Sequence, residues 1–199
     1  MMLIEETTVP NAALPVEAFK AHLRLGTGFG QDTTQDEVLA GFLRAAIAAI
    51  EARTGKVLLV RSFSWTLSYW RDGHAQGLPV APVGAVTRLV VIAGDGTETD
   101  VPAEAYWLEP DSQTPRLRPT ANSLPAIPSG GSVRIEFDAG YGAAWQSIPA
   151  DLGQAVFLLA AHYYEYRQET QISDGFMPFG VSSLIERYRA FRIGGGTLR

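Results

Sequence analysis

Asp36-Glu-Val-Leu-Ala-Gly-Phe-Leu-Arg-Ala-Ala-Ile-Ala-Ala-Ile-Glu-Ala-Arg-Thr-Gly55 gives way within a few residues to Arg61-Ser-Phe-Ser-Trp-Thr-Leu-Ser-Tyr69. In the first stretch Val38, Leu39, Phe42, Leu43, Ala46, Ile47 and Ile50 recur with a helical period. Thr34 and Glu37 form a capping-box pair ahead of it, and Thr54-Gly55 supplies the stop. In the second stretch Phe63, Trp65, Leu67 and Tyr69 alternate with Ser62, Ser64, Thr66 and Ser68, so the period falls from 3.6 to 2. The chain therefore turns from helix to sheet just after Gly55.

Upstream, Pro15 followed by Val16, Phe19, Leu23 and Leu25 predicts a short amphipathic helix ending at Gly26. Downstream, strands are expected at 57–70, 86–92, 97–101, 105–109, 115–118 and 132–138, with Ala93-Gly-Asp-Gly96 as a tight hairpin. Eight prolines between Pro79 and Pro128 confine the other strands to short or edge positions. Helical signal returns after Ala139-Gly-Tyr-Gly142, from Pro149 to about Arg167, and again from Val181 to about Phe191. The predicted fold is α+β: a helical module of two N-terminal and two C-terminal helices (residues 1–56 and 139–199) interrupted by a small antiparallel β insertion (57–138). Gly194-Gly-Gly196 makes residues 192–199 a flexible tail.

Composition closes several routes. The 199 residues are 46% hydrophobic and 19% charged, enough for a sizeable core. Net charge is -5, which argues against electrostatic binding of nucleic acid or anionic lipid by the chain as a whole. There are no cysteines, hence no thiolate chemistry or disulfide. No apolar run approaches a membrane span, and Met1 to Glu6 carries carboxylates where a signal peptide carries positive charge, so a soluble, unexported protein without membrane contact is expected.

Three histidines limit catalysis. His22 and His74 read as exposed or packing residues, while His162 stands three residues before Glu165 and seven before Glu169. That spacing admits a metal-dependent hydrolase, but one histidine without a second His or Cys motif is weak, and no catalytic, cofactor or metal residue is assigned. Gly26-x-Gly28-x-Gly30 follows a helix and lacks a lysine, so it is a loop and not a phosphate cradle. Trp65, Tyr69, Trp70, Tyr106 and Trp107 could stack bases in a single-strand binder, yet only Arg61 accompanies them on the first strand; burial is the better reading.

Two surfaces point toward assembly. Val156 to Ala161 are six consecutive apolar residues, which requires cover on more than one side of the helix. Tyr163, Tyr164 and Tyr166, spread around its end, are the candidate subunit contacts. Residues 180–199 carry Arg187, Arg189, Arg192 and Arg199 against Glu186 alone. With Tyr188, Phe191 and Leu198 they form a tethered, basic docking peptide.

The order of short motifs resembles that of the head-tail connector, or adaptor, proteins of tailed phages and phage-derived gene transfer agents. The resemblance rests on Val16-Glu-Ala-Phe-Lys-Ala-His-Leu-Arg24, Glu51-Ala-Arg-Thr-Gly55, Leu78-Pro-Val-Ala-Pro-Val-Gly-Ala-Val86, Ala139-Gly-Tyr-Gly142, Ile148-Pro-Ala-Asp-Leu152, Ala161-His-Tyr-Tyr-Glu-Tyr-Arg167 and Ser183-Leu-Ile-Glu-Arg-Tyr-Arg189. It implies a homo-oligomeric ring of roughly twelve subunits mounted beneath the portal protein. Arg187, Tyr188, Arg189, Phe191, Arg192, Leu198 and Arg199 would then reach the portal, and a stopper or tail terminator would sit on the other side. It further implies passage of double-stranded DNA, assembly in the bacterial cytoplasm into a phage-like particle, and neither enzyme activity nor cofactor. The glycines at 26–30 depart from the pattern.

Overall fold

The computed structural model describes residues 2–24, 35–167 and 177–189. Its helices are α1 (Val16–His22), α2 (Asp36–Thr54), α3 (Ala150–Glu165) and α4 (Phe179–Ile185). Its strands are β1 (Met2–Glu5), β2 (Arg61–Leu67), β3 (Gln76–Gly77), β4 (Val83–Ile92), β5 (Glu98–Asp100), β6 (Tyr106–Glu109), β7 (Arg116–Pro119) and β8 (Ser132–Ala139). All sheet pairings are antiparallel, in a five-stranded sheet ordered β1-β2-β8-β4-β5 and a three-stranded sheet ordered β3-β7-β6.

This overturns the expected helical module with a small β insertion. The strands form two sheets around a core of their own, and the chain's first residues belong to the larger sheet. The prolines do not keep the larger sheet small. They flank the short strands β3, β6 and β7, but β2 lies before Pro79, β8 after Pro128 and β4 between Pro82 and Pro102, and these three pair over long registers. Met2–Glu5 carries no alternating pattern, so only its partner reveals it as a strand.

The alternation in β2 and β8 decides how the sheet packs. Phe63, Trp65, Leu67, Val133, Ile135 and Phe137 face inward and meet Leu89, Tyr106, Leu117 and Leu124. Phe63 and Phe137, directly paired across the strands, stack at 5.7 Å. Ser62, Ser64, Thr66, Arg134, Glu136 and Asp138 occupy the intervening positions and line the opposite, polar face.

A second core fills the helical part: Phe19 from α1, Leu39, Leu43, Ile47 and Ile50 from α2, Leu152, Val156 and Leu159 from α3, and Val181 and Ile185 from α4. Gly55 stops α2 in the left-handed region at φ 68°, its N–H donating to Glu51 O at 2.8 Å. Lys20 joins α1 to α2 through Asp36 at 2.6 Å. Thr34, the capping-box residue, and the glycines at 26–30 lie outside the described residues.

The two cores meet where the chain passes from α2 into β2 and from β8 toward α3. Val60 N–H donates to Gly142 O (3.0 Å) and Gly140 N–H to Pro82 O (2.9 Å). Gly140 has φ 139°, and a Cβ there would lie 2.5 Å from Val60 N, so the close approach admits only glycine. Beside it Arg61, nearly buried, pairs with Glu51 of α2 and, at 3.0 Å, with Glu5 of β1. Glu51 Oε1 also accepts the Leu58 N–H at 2.7 Å. Burial raises the Glu51 carboxyl pKa despite these partners, an unfavourable contribution at the joint between helix and sheet.

Candidate functional site

Cover for α3 comes first from the chain itself. Its buried residues Leu152, Ala155, Val156, Leu159 and Ala160 pack in the helical core with residues of α2 and α4. Phe157 completes the enclosure, stacked on Phe19 of α1 at 5.9 Å and on Trp145 at 5.3 Å. Within the six-residue apolar run Val156, Leu159 and Ala160 are buried in one subunit, while Phe157, Leu158 and Ala161 are only partly covered.

The three tyrosines at the end of α3 differ in placement. Tyr163 is half-buried against the core, and burial raises its pKa. Tyr164 meets Phe42 edge-on at 6.0 Å, with the Arg167 guanidinium 4.8 Å above its ring. Tyr166 is 41% exposed and lies 4.6 Å from the His162 ring. Phe179, at the start of α4, is 86% exposed, so the end of the helical layer presents aromatic surface that the subunit does not bury. Phe179 carries no sequence signal of exposure, since an apolar residue at a helix start reads as core.

The C-terminal candidates divide. Helix α4 ends at Ile185 and a short turn of 3-10 helix covers Glu186–Tyr188, earlier than the expected end near Phe191. Arg187 pairs with Asp151 in the first turn of α3 at 2.6 Å and donates to the Tyr188 hydroxyl, also at 2.6 Å. Tyr188 in turn donates to Asp151 Oδ1 at 2.7 Å. Tyr141 is beside this cluster, and burial, followed by the nearby Tyr188 and Asp151, pushes its pKa up to about 12. Arg189 pairs with Glu186 at 3.1 Å. Arg187 and Tyr188 are therefore held against α3 and anchor the chain's end; Phe191, Arg192, Leu198 and Arg199 lie outside the described residues. Sequence reasoning missed the partner. Asp151 belongs to the Ile148-Pro-Ala-Asp-Leu152 motif, and nothing in that local stretch points to Arg187 or Tyr188.

The candidates for chemistry do not converge into a catalytic set. His22 and His162, with Glu165, line one hollow of about 560 Å³, a juxtaposition that their spacing did not reveal. His22 is 5.5 Å from Phe157 in the aromatic stack, and the buried His162 Nε2 has no hydrogen-bond partner among the described residues. Among the described residues no group of three His, Cys, Asp or Glu is placed to hold a metal, and Glu169 lies outside them. His74 sits in a loop, its Nδ1 2.7 Å from Asn122 O. The aromatic strand residues are dispersed: Trp65 and Tyr106 are buried, Trp70 donates to Pro125 O at 2.7 Å, and Tyr69 and Trp107 are exposed. Arg61 is consumed by its carboxylates, so the strand offers no stacking platform with cations beside it. No helix among the described residues is long and apolar enough to cross a membrane.

No family model and no curated protein matches the chain. Solved structures do. The neck of an empty gene transfer agent particle computed with C6 symmetry contains a chain 52% identical, with a TM-score of 0.89, covering 98% of this chain and 99% of that one. The virion of a native gene transfer agent particle contains one 52% identical with a TM-score of 0.86, at the same coverage. The neck of a native particle computed with C12 symmetry contains one 49% identical with a TM-score of 0.84, again at that coverage. With such identity along nearly its whole length, the chain belongs to the neck proteins of gene transfer agent particles.

Proposed function

We propose that this protein is the connector, or adaptor, of a phage-like particle: a structural component and not an enzyme, forming a ring between the DNA-filled head and the tail. The observation that carries this reading is the end-to-end similarity to chains in necks computed with C6 and C12 symmetry. Cyclic symmetry gives each subunit two neighbours of its own kind, and exposed Tyr166 at the end of α3 is suited to such a contact. The ring sits beneath the portal and receives a stopper or tail terminator on its far side. Net charge of -5 suits a conduit from which passing DNA must not be retained.

Docking on the portal falls to the C-terminal segment. Arg187 and Tyr188 fix its root on Asp151, and Arg189, Phe191, Arg192, Leu198 and Arg199 supply charge-assisted hydrogen bonds and apolar anchors. Ordering such a segment costs about 1–2 kcal/mol per residue, which only a well-buried anchor offsets. Deletion of residues 194–199 tests the assignment. The truncated protein is expected to be soluble, with an unchanged circular dichroism spectrum, while particles made with it show DNA-filled heads lacking the neck in electron micrographs. Complete head-tail joints at normal yield would overturn the docking role.

A further inference from the structure

Among the described residues nothing pairs with the outer side of strand β1, an edge without the usual protection. Met2, Leu3 and Ile4 are 57%, 40% and 40% exposed, and no lysine, proline or bulge interrupts them. The pairing phase shows which backbone groups are free. Glu6 N–H donates to Ser62 O at 2.9 Å, and with the register Met2↔Thr66 and Ile4↔Ser64 the even-numbered residues share the ladder bonds with β2. The N–H and C=O of Leu3 and Glu5 therefore point away from the sheet. Such an edge, apolar on both faces, is a template for another strand.

The opposite flank of the same sheet holds a second open edge. Strand β5 pairs only with Val90–Ile92 of β4, and no strand among the described residues pairs with Val83–Arg88 on that side. Gly84, Ala85 and Thr87 in this stretch are exposed. The two edges match in sense, while the open stretch is offset toward the start of β4, since Leu89 and Val90 already bond toward β5, and it carries register shifts against β8 at Val83/Ala85 and Val86/Arg88. Followed through β2 and β8, Met2, Leu3, Ile4 and Glu5 align with Val90, Leu89, Arg88 and Val86 of β4, and the three antiparallel steps make β1 run opposite to β4. A ring contact is heterologous: one flank of a subunit meets the other flank of the next.

We propose that β1 of one copy adds antiparallel to the open Val83–Arg88 edge of the neighbouring copy, so that sheets join around the ring. The occupant is a second copy because both edges, unlike in sequence but complementary in direction, belong to one sheet whose relatives occur in cyclic necks. This rests on the ring reading above, so the test separates the two. Assembled particles carrying a benzophenone amino acid in place of Leu3 are irradiated, and a parallel sample of unsubstituted particles is treated with formaldehyde, which reports neighbouring copies wherever they touch.

The expected result is a ladder of self-conjugates in both samples, with the Leu3 link mapped by mass spectrometry to residues 83–88 of another copy. A formaldehyde ladder together with a Leu3 link to a different protein, to the same chain, to another part of the neighbour, or to nothing would overturn the strand joint and leave the ring standing. Absence of both ladders would overturn both.

Discussion

Tyr188 donates its hydroxyl proton to Asp151 Oδ1 at 2.7 Å, across 37 residues of sequence, and so fastens the last described turn of the chain to the first turn of α3. Arg187 completes the arrangement from the other carboxylate oxygen, at 2.6 Å. The negative charge is well placed for both partners, since the N-terminal end of α3 already favours it. Under the proposed function, this cluster transmits any pull on the tail segment directly into the helical core.

Replacing Tyr188 by Phe removes the hydroxyl and keeps the ring. The expected loss is about 1–2 kcal/mol, the range for a hydrogen bond to a charged acceptor that remains partly solvated. Urea unfolding measures it. A midpoint equal to the parent's would show that the contact contributes nothing.

Gly140→Ala is expected to cost at least about 2 kcal/mol, because the residue must hold φ 139° with Val60 N only 2.5 Å from the new Cβ. Gly96→Ala, at φ 87° on the hairpin with open space around it, is the control and is expected to cost about 1 kcal/mol. Comparable thermal shifts in the two variants would refute the steric argument.

Tyr166→Ala bears on the subunit contact. The Tyr166 ring rests on His162 with much of its surface in solvent, so the isolated subunit is expected to change by less than about 1 kcal/mol while ring yield falls several-fold. Sedimentation of extracts and imaging of necks provide the measure. Unchanged ring yield, or a structure of the assembled neck with Tyr163, Tyr164 and Tyr166 all away from neighbouring copies, would remove these residues from the interface.

Stability is expected to fall on the acid side. Hydrogen bonds from Arg134 to Glu98, from Arg88 to Asp100 and from Arg118 to Glu109 hold these carboxyls below their ordinary pKa values. A group depressed in the folded state stabilises above its unfolded pKa, near 4, and that contribution disappears as pH falls through the folded value. Glu51 acts in the opposite sense, since its raised pKa gives a contribution present below the unfolded value and lost as pH rises through the folded one. Unfolding midpoints between pH 7 and pH 3 should therefore decline, and Arg134→Met should flatten the decline. An unaltered acid limb in that variant would show that solvent screens the Arg134–Glu98 pair completely.

Local pattern carried much of the layout. Periodicity and Thr54-Gly55 located α2 and its stop, alternation located β2, the strand expected at 132–138 is β8, and Ala93-Gly-Asp-Gly96 located the hairpin, where Ala93 N–H donates to Thr97 O at 2.9 Å. These features are legible because they depend on neighbours within a turn or two of chain. The same is true of the absence of cysteine chemistry, which composition alone decides.

Only the tertiary structure decided what meets what. Met2–Glu5 became a strand because β2, some 60 residues on, offered it an edge, and the supposed small insertion became two sheets because long registers between β2, β8 and β4 override the prolines around them. Asp151 found Arg187 and Tyr188, Glu51 found Arg61, and Val156, Leu159 and Ala160 of the apolar run in α3 found cover inside their own subunit, since contact across tens of residues leaves no period in the sequence. The sequence determines which groups need partners; the fold, through geometry that no local window contains, determines which partners they receive.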